Sequence, residues 1–138
     1  MSLRDLVNHI AAGKSLAAIA REAAASGSAV DTRGYDSAAF LLRTETVTDG
    51  VFTFVPQESD TTTDTDFTAV AAADLDGTLP TVDGNASPAV GGSAVTLIGY
   101  KGTKRYLRVR VTVASLPSPS SGAIIGGEVL LGHPHVAQ

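Results

Sequence analysis

The segment Ser93–Ala114 constrains the fold more than any other part of the chain, because it is the longest uninterrupted stretch of residues typical of β-strands. From Lys104 onward the residues alternate between two faces. One face carries Arg105, Leu107, Val109, Val111 and Val113, and the other carries Lys104, Tyr106, Arg108, Arg110 and Thr112. This period is typical of a strand with one face in a core and one basic face in water. Because Lys101–Thr103 is a short connector containing Gly, Ala94–Ala114 is predicted to form a long antiparallel hairpin.

The chain has the length of one domain, and its composition narrows the kind of core it can have. Its 138 residues are enough to bury roughly two-thirds of the surface of the unfolded chain. The sequence contains no Cys, which excludes disulfide bonds, thiolate metal sites and Cys nucleophiles. With no Trp, three Tyr and four Phe, the chain is predicted to have a core mainly of Val, Leu, Ile and Ala.

The N-terminal residues carry an apolar stripe. Ser2 is suited to cap a short helix that ends at Gly13. The apolar side of that helix consists of Leu3, Leu6, Val7 and Ile10. Because so short a helix is unstable alone, these side chains are predicted to order against a neighbouring protein.

Residues 15–25 fit two kinds of secondary structure. Ala, Arg and Glu favour a helix, whereas the apolar run Leu16–Ala20 also fits a buried strand; propensity favours the helix. We therefore divide the chain into a helical or extended N-terminal arm, residues 1–28, and a β-domain, residues 29–138.

Beyond the arm, turn residues separate short apolar runs. Asp49–Gly50 predicts a hairpin turn before a strand at Val51–Val55, which Pro56 is expected to end. The last strand is predicted at Ala123–Leu131, where Gly126–Gly127 indicates a bulge or a close backbone approach. Strands separated by turns at a spacing of about ten residues are typical of a two-sheet sandwich. The predicted fold class is mainly β, an antiparallel, jelly-roll-like β-sandwich.

Charge is segregated along the chain. The segment Thr44–Tyr100 has only Asp and Glu as charged residues. The basic cluster that follows consists of Lys101, Lys104, Arg105, Arg108 and Arg110. It fits a nucleic-acid backbone, a solvated strand face, or an acidic protein surface on a neighbouring copy or another partner. The net charge of −4 disfavours binding of nucleic acid, which is itself negatively charged. We therefore favour a protein interface that includes Tyr106. We also expect that Glu at positions 108 and 110 leaves folding intact.

No pattern in the sequence predicts an enzyme, a cofactor or a metal site. The acidic residues Asp60, Asp64, Asp66, Asp74 and Asp76 lack the spacing of a calcium loop. His9, His133 and His135 are too few and too scattered to predict a zinc site, and no G-x-S-x-G element is present. Polar residues interrupt the N-terminal apolar stretch, so no signal peptide is predicted, and no apolar run reaches the roughly 18 residues of a membrane span. The chain is expected to be soluble when made.

Three groups of turn and strand residues follow one another along the chain. They are Val30–Ala38, then Gln57–Asp60 with Asp66–Val70, then Ile98–Gly102 with Lys104–Tyr106. In this order they resemble small virion structural proteins from the capsid gene cluster of long-tailed bacteriophages and prophages. The resemblance covers about residues 1–135 and consists of turn and strand chemistry, not of a catalytic signature.

The resemblance implies a cement or decoration protein of the virion, made in the host cytoplasm. Such proteins are sandwiches that bind the major capsid protein on the outer shell, typically as homotrimers at three-fold or quasi-three-fold positions. Neither nucleic acid nor membrane is expected as a partner, because of the net negative charge and because no apolar run is long enough to span a bilayer. Two alternatives stay open: a head-completion or tail structural protein, and a module that binds a host surface. The scarcity of aromatic residues disfavours a sugar-binding version of the second.

Overall fold

The computed structural model describes residues 6–134, which form two layers of β-strands. The strands are β1 (Ile10–Arg21), β2 (Ala25–Ser26), β3 (Val30–Asp31), β4 (Tyr35–Val47), β5 (Val51–Ser59), β6 (Thr68–Ala69), β7 (Leu75–Asp76), β8 (Val82–Asp83), β9 (Ala94–Tyr100), β10 (Tyr106–Ala114) and β11 (Ala123–Pro134). Two single 3-10 turns, Asp64–Asp66 and Ala72–Asp74, lie in the connections. The short strands lie between β1 and β4 and between β5 and β9, where the sequence is rich in turn residues.

The strands form one five-stranded and one six-stranded sheet. The five-stranded sheet has the order β1-β11-β4-β9-β7. The six-stranded sheet has the order β2-β10-β5-β6, with β3 also paired to β10 and β8 to β5. Neighbouring strands are antiparallel in both sheets, so the prediction of a mainly β, antiparallel sandwich is confirmed.

The core lies between the two sheets and consists mainly of aliphatic side chains, with three Phe rings among them. The five-stranded sheet contributes Phe40, Leu42, Ile98, Ile125 and Val129, and the six-stranded sheet contributes Phe52, Phe54, Leu107, Val109 and Val111. Twelve of the fifteen core residues in the described part of the chain are Val, Leu, Ile or Ala, so the prediction of a core mainly of these residues is confirmed, although Phe40, Phe52 and Phe54 are its largest side chains. Alternation also identified Leu107, Val109 and Val111 correctly as core positions.

Both predicted hairpins are wrong, because their strands belong to different sheets. Strand β9 pairs with β4 and β7, whereas β10 pairs with β5, β2 and β3. Likewise the turn at Asp49–Gly50 joins β4 of one sheet to β5 of the other. Alternation shows which face of a strand is buried, but the partner strand is chosen by contacts distant in sequence, so a short connector alone does not establish a hairpin.

The helix predicted to end at Gly13 is wrong in its described part, and of the two alternatives left open for residues 15–25 the strand is the one formed by residues 15–21. Residues 6–9 form a turn, and Ile10–Arg21 is strand β1, paired with β11 and contributing Leu16 to the core. Helix propensity is a weak preference that sheet pairing overrides here. Strand β1 bends where its register shifts between Lys14 and Leu16, and the hydroxyl of Ser15 there accepts a hydrogen bond from the amide of Val109 at 2.8 Å. Residues 10–21 thus belong to the sandwich and close one of its sides.

Two further details concern Pro and Gly. Pro56 does not end its strand, since β5 continues to Ser59. The Pro56 carbonyl accepts a hydrogen bond from the amide of Val70, so the N–H that proline lacks would lie on the side away from β10.

Gly126 confirms the predicted close approach of two backbones, because a Cβ at this position would lie 2.7 Å from the Cα of Ala18 in β1.

Candidate interaction surfaces

The structure brings the predicted basic residues together at one end of β10, but most of their charge is neutralised within the chain. The guanidinium of Arg105 donates two hydrogen bonds, of 2.9 and 2.8 Å, to the carboxylate of Asp31. The ammonium of Lys104 lies 2.8 Å from the carboxylate of Asp60. Lys101 is exposed and forms no ion pair with the described residues. The acidic surface proposed as a partner of this cluster is thus supplied in large part by the chain itself.

Arg108 is buried, contrary to its predicted place on a solvated face. Its side chain is 9% exposed and lies over the ring of Phe67, with 4.2 Å between the guanidinium carbon and the ring centroid. It donates hydrogen bonds to the side chain of Gln57 at 2.7 Å and to the carboxylate of Asp64 at 2.5 Å. The loop after β5 therefore folds over this arginine and hides it from solvent.

Arg110 and Tyr106 are half-buried on the same strand. The guanidinium of Arg110 donates to the hydroxyl of Ser26 in the adjacent strand β2 at 2.6 Å. The Arg105 guanidinium lies over the ring of Tyr106, 4.9 Å from its centroid. Of the six predicted interface residues in this region, only Lys101, Lys104 and Arg105 are exposed.

A hydrogen-bond chain that the sequence did not reveal ties the two sheets together at this end. Tyr100, on β9, donates its hydroxyl to the carboxylate of Glu58 on β5 at 2.6 Å, and accepts from the amide of Lys104 at 3.0 Å. Burial and the hydrogen bond to Glu58 raise the pKa of Tyr100 well above its usual range. Its ring meets Phe40 edge to face, with centroids 6.0 Å apart. An open cleft of about 200 Å³ lies beside Tyr100 and Lys104.

The Asp31–Arg105 pair predicts a pH dependence of stability. The hydrogen bond from Arg105 lowers the pKa of Asp31 from 3.8 to about 2. Because the folded state holds the carboxylate ionised, the pair stabilises the fold above about pH 4 and loses this effect as the pH falls toward 2. Asp31→Asn should therefore flatten the fall of the melting temperature over that interval. Asp76→Asn, which also removes an exposed carboxylate, is the control and should leave the fall as it is; an equal change in both variants would contradict the assignment.

The described part of the predicted N-terminal stripe is exposed. Leu6 is 61% exposed, Val7 is 82% exposed and Ile10, at the start of β1, is 36% exposed. Leu3 lies outside the described residues. Aliphatic side chains this open to water form an apolar surface near the N-terminus.

A second apolar surface, which the sequence analysis did not identify, covers the outside of the five-stranded sheet. Because Phe40 and Leu42 point into the core, their neighbours on β4 point outward, and the register extends that outer row across β1, β11 and β9. We define the outer apolar face as Ile10, Ala12, Ala39, Leu41, Val95, Leu97 and Leu130. Val95 and Leu97 are 62% and 58% exposed. The apolar run at residues 38–42 was the available signal, since a strand apolar on both faces has a second surface to cover.

Three of the five acidic residues considered for calcium have side-chain partners within the chain. Asp60 and Asp64 pair with Lys104 and Arg108, and Asp66 accepts a hydrogen bond from Thr61 at 2.6 Å. Between residues 6 and 134 no three acidic, His or Cys side chains are grouped so as to hold a metal ion. His133 lies in β11 with its Nδ1 2.7 Å from the hydroxyl of Ser37, whereas His135 is outside the described residues.

Comparisons with known proteins give no relative. No family model, curated protein or solved structure matches the chain. No helix in the described part of the chain is long and apolar enough to cross a membrane.

Proposed function

We propose that the chain is a structural protein of a bacteriophage virion, which binds the major capsid protein on the outer surface of the head and stabilises the shell. The resemblance of residues 1–135 supports this assignment, and so does a sandwich whose two sheets are joined by buried side chains and by the Tyr100–Glu58 hydrogen bond. In the proposal the occupied shell carries the protein as trimers between capsomers, and the protein has no catalytic role.

The observation that carries the proposal is the amount of aliphatic surface that the folded domain leaves exposed to solvent. Leu6 and Val7 project from the turn before β1, and a separate apolar surface covers the outside of the five-stranded sheet. Exposed apolar surfaces of this kind are typical of proteins that assemble with others. The N-terminal turn, together with the exposed Lys101, which forms no ion pair with the described residues, is the proposed contact with the shell.

Attachment to capsids lacking this protein tests the proposal. Burying a Leu or Val side chain contributes about 1.5–3 kcal/mol, so replacing Leu6 and Val7 together by Ser should weaken attachment at least tenfold. Ile19→Ser is the matched control, because Ile19 is 55% exposed on β1 and lies outside the proposed contact. Binding that is unchanged in the double variant would contradict the proposed contact, and failure of the wild-type protein to bind capsids would contradict the function.

A head-completion or tail role is the second candidate, since the same exposed surfaces would serve contacts within a ring. It differs in copy number: a decoration protein is present in on the order of hundreds of copies per particle, and a ring protein in a few.

A further inference from the structure

The outer apolar face is large enough to be an interface. Together with the charged and glycine positions that lie among its apolar residues, it spans four strands about 4.8 Å apart and about eight residues of 3.3 Å each, or about 500 Å² in projection. A standard interface takes roughly 800 Å² of accessible surface from each partner, so a contact on this face is of modest size. Exposed apolar patches of a few hundred Å² often mark a binding surface.

The charges on this face are arranged in complementary positions. Arg43 and Glu128 stand on the adjacent strands β4 and β11 beside Leu41, and their side chains make a loose pair of 3.7 Å while remaining 41% and 33% exposed. Lys14 on β1 and Glu45 on β4 are exposed on opposite sides of this pair, and neither has an ion-pair partner within residues 6–134. A diagonal drawn across this face has one positive and one negative charge on each of its two sides. When a second copy is rotated about that diagonal, each charge therefore meets a charge of opposite sign.

We propose that the outer apolar face is the contact between two copies of this chain, related by a two-fold axis that runs along the sheet diagonal from Gly126 through Leu41 to Gly99. The register places Arg43 and Glu128 on opposite sides of this diagonal, so the axis brings Arg43 of each copy against Glu128 of the other. Leu41 lies on the axis and packs against its own counterpart.

The same rotation matches the remaining groups. Leu97 meets the small side chain of Ala39, and Val95 meets Leu130. Lys14 comes within reach of Glu45 of the second copy, which gives each of these charges a partner. A flat contact with small and large aliphatic residues opposed and charges paired at its rim is typical of an isologous interface.

This inference concerns the free protein and does not depend on the proposed function. The three-fold arrangement proposed above belongs to the occupied shell, where the capsid imposes its symmetry. Dimerisation is measured in solution and attachment is measured on capsids. Either proposal can therefore be contradicted while the other stands.

The test uses two single charge reversals and their mixture, with mass measured by sedimentation and folding by melting temperature. Arg43→Glu gives a face with only negative charge at this pair, and Glu128→Arg gives one with only positive charge. Each variant alone should dimerise at least tenfold more weakly than the wild-type protein. Their equimolar mixture should form heterodimers, because both contacts across the axis are then attractive. A charge pair within one copy cannot produce that rescue.

Several outcomes would overturn the proposal. They are a wild-type protein that is monomeric at millimolar concentration or trimeric, single variants that dimerise as well as the wild type, and a mixture without heterodimers. If either reversal prevents folding, Leu97→Lys replaces it, because Leu97 is 58% exposed and contributes little to the core. That variant should be a folded monomer, and a folded Leu97→Lys dimer would contradict the interface.

Discussion

Replacing Phe40 by Ala should lower the free energy of unfolding by about 3–5 kcal/mol. Phe40 is 0% exposed at the centre of the five-stranded sheet, where its ring contacts the ring of Tyr100. The substitution leaves a cavity that the flanking strands β11 and β9 cannot close without breaking their pairing with β4. It also removes the support that holds Tyr100 toward Glu58, so the link between the sheets should weaken.

Chemical denaturation of the wild-type protein and two variants measures this effect. Ile19→Ala is the matched control, because it shortens an aliphatic side chain that is 55% exposed, and it should change stability by less than about 0.5 kcal/mol. Domains of this size are stable by about 5–15 kcal/mol, so Phe40→Ala removes a large part of the total. If the two variants lost equal stability, the placement of the core between these sheets would be wrong.

Replacing Arg108 by Glu should destabilise the protein by about 3 kcal/mol. The new carboxylate would lie against the ring of Phe67, next to the carboxylate of Asp64, and it would leave the side-chain amide oxygen of Gln57 without its present partner. Since Arg108 is 9% exposed, water cannot compensate for the lost contacts. The sequence predicted that Glu at this position leaves folding intact. The buried position of Arg108 predicts instead that Glu there destabilises the fold.

Two further variants, one at position 110 and one at position 108, distinguish the effect of burial on stability from the effect of charge. Arg110→Glu changes the same charge on the same strand, but Arg110 is only half-buried and bonds a single hydroxyl, so a loss below about 1 kcal/mol is expected. Arg108→Met keeps an unbranched chain over Phe67 without a charge, and should fall between the two. Thermal unfolding that ranks Arg110→Glu as the most damaging would contradict the structure around Arg108.

The sequence predicted the fold class because period-two alternation and turn residues are local signals. It assigned the core face of β10 correctly for the same reason. It failed where the outcome depended on distant contacts: β9 and β10 joined different sheets, and the Ala-rich residues 10–21 became a strand because β11 offered an edge to pair with. The residues of β1, β9 and β10 do not by themselves specify the strands with which they pair.

The sequence predicted part of the candidate surfaces and missed the rest. Lys101, Lys104 and Arg105 are exposed as expected, since they lie in a connector. Arg108 is hidden because the loop that contains Asp64, 44 residues before it in sequence, folds back over the strand, which alternation cannot reveal. The outer apolar face was missed because an apolar residue on the solvent side of a strand looks, in sequence, like a residue of a strand buried on both faces.

The proposed role in the virion is tested most directly by an electron cryo-microscopy map of purified particles, together with the copy number of this chain measured on a stained gel. The proposal predicts two-layered β-density on the outside of the shell at the three-fold and quasi-three-fold positions, with copies on the order of hundreds per particle. Density confined to a single ring at the neck or tail, or absence of the chain from the particle, would contradict it.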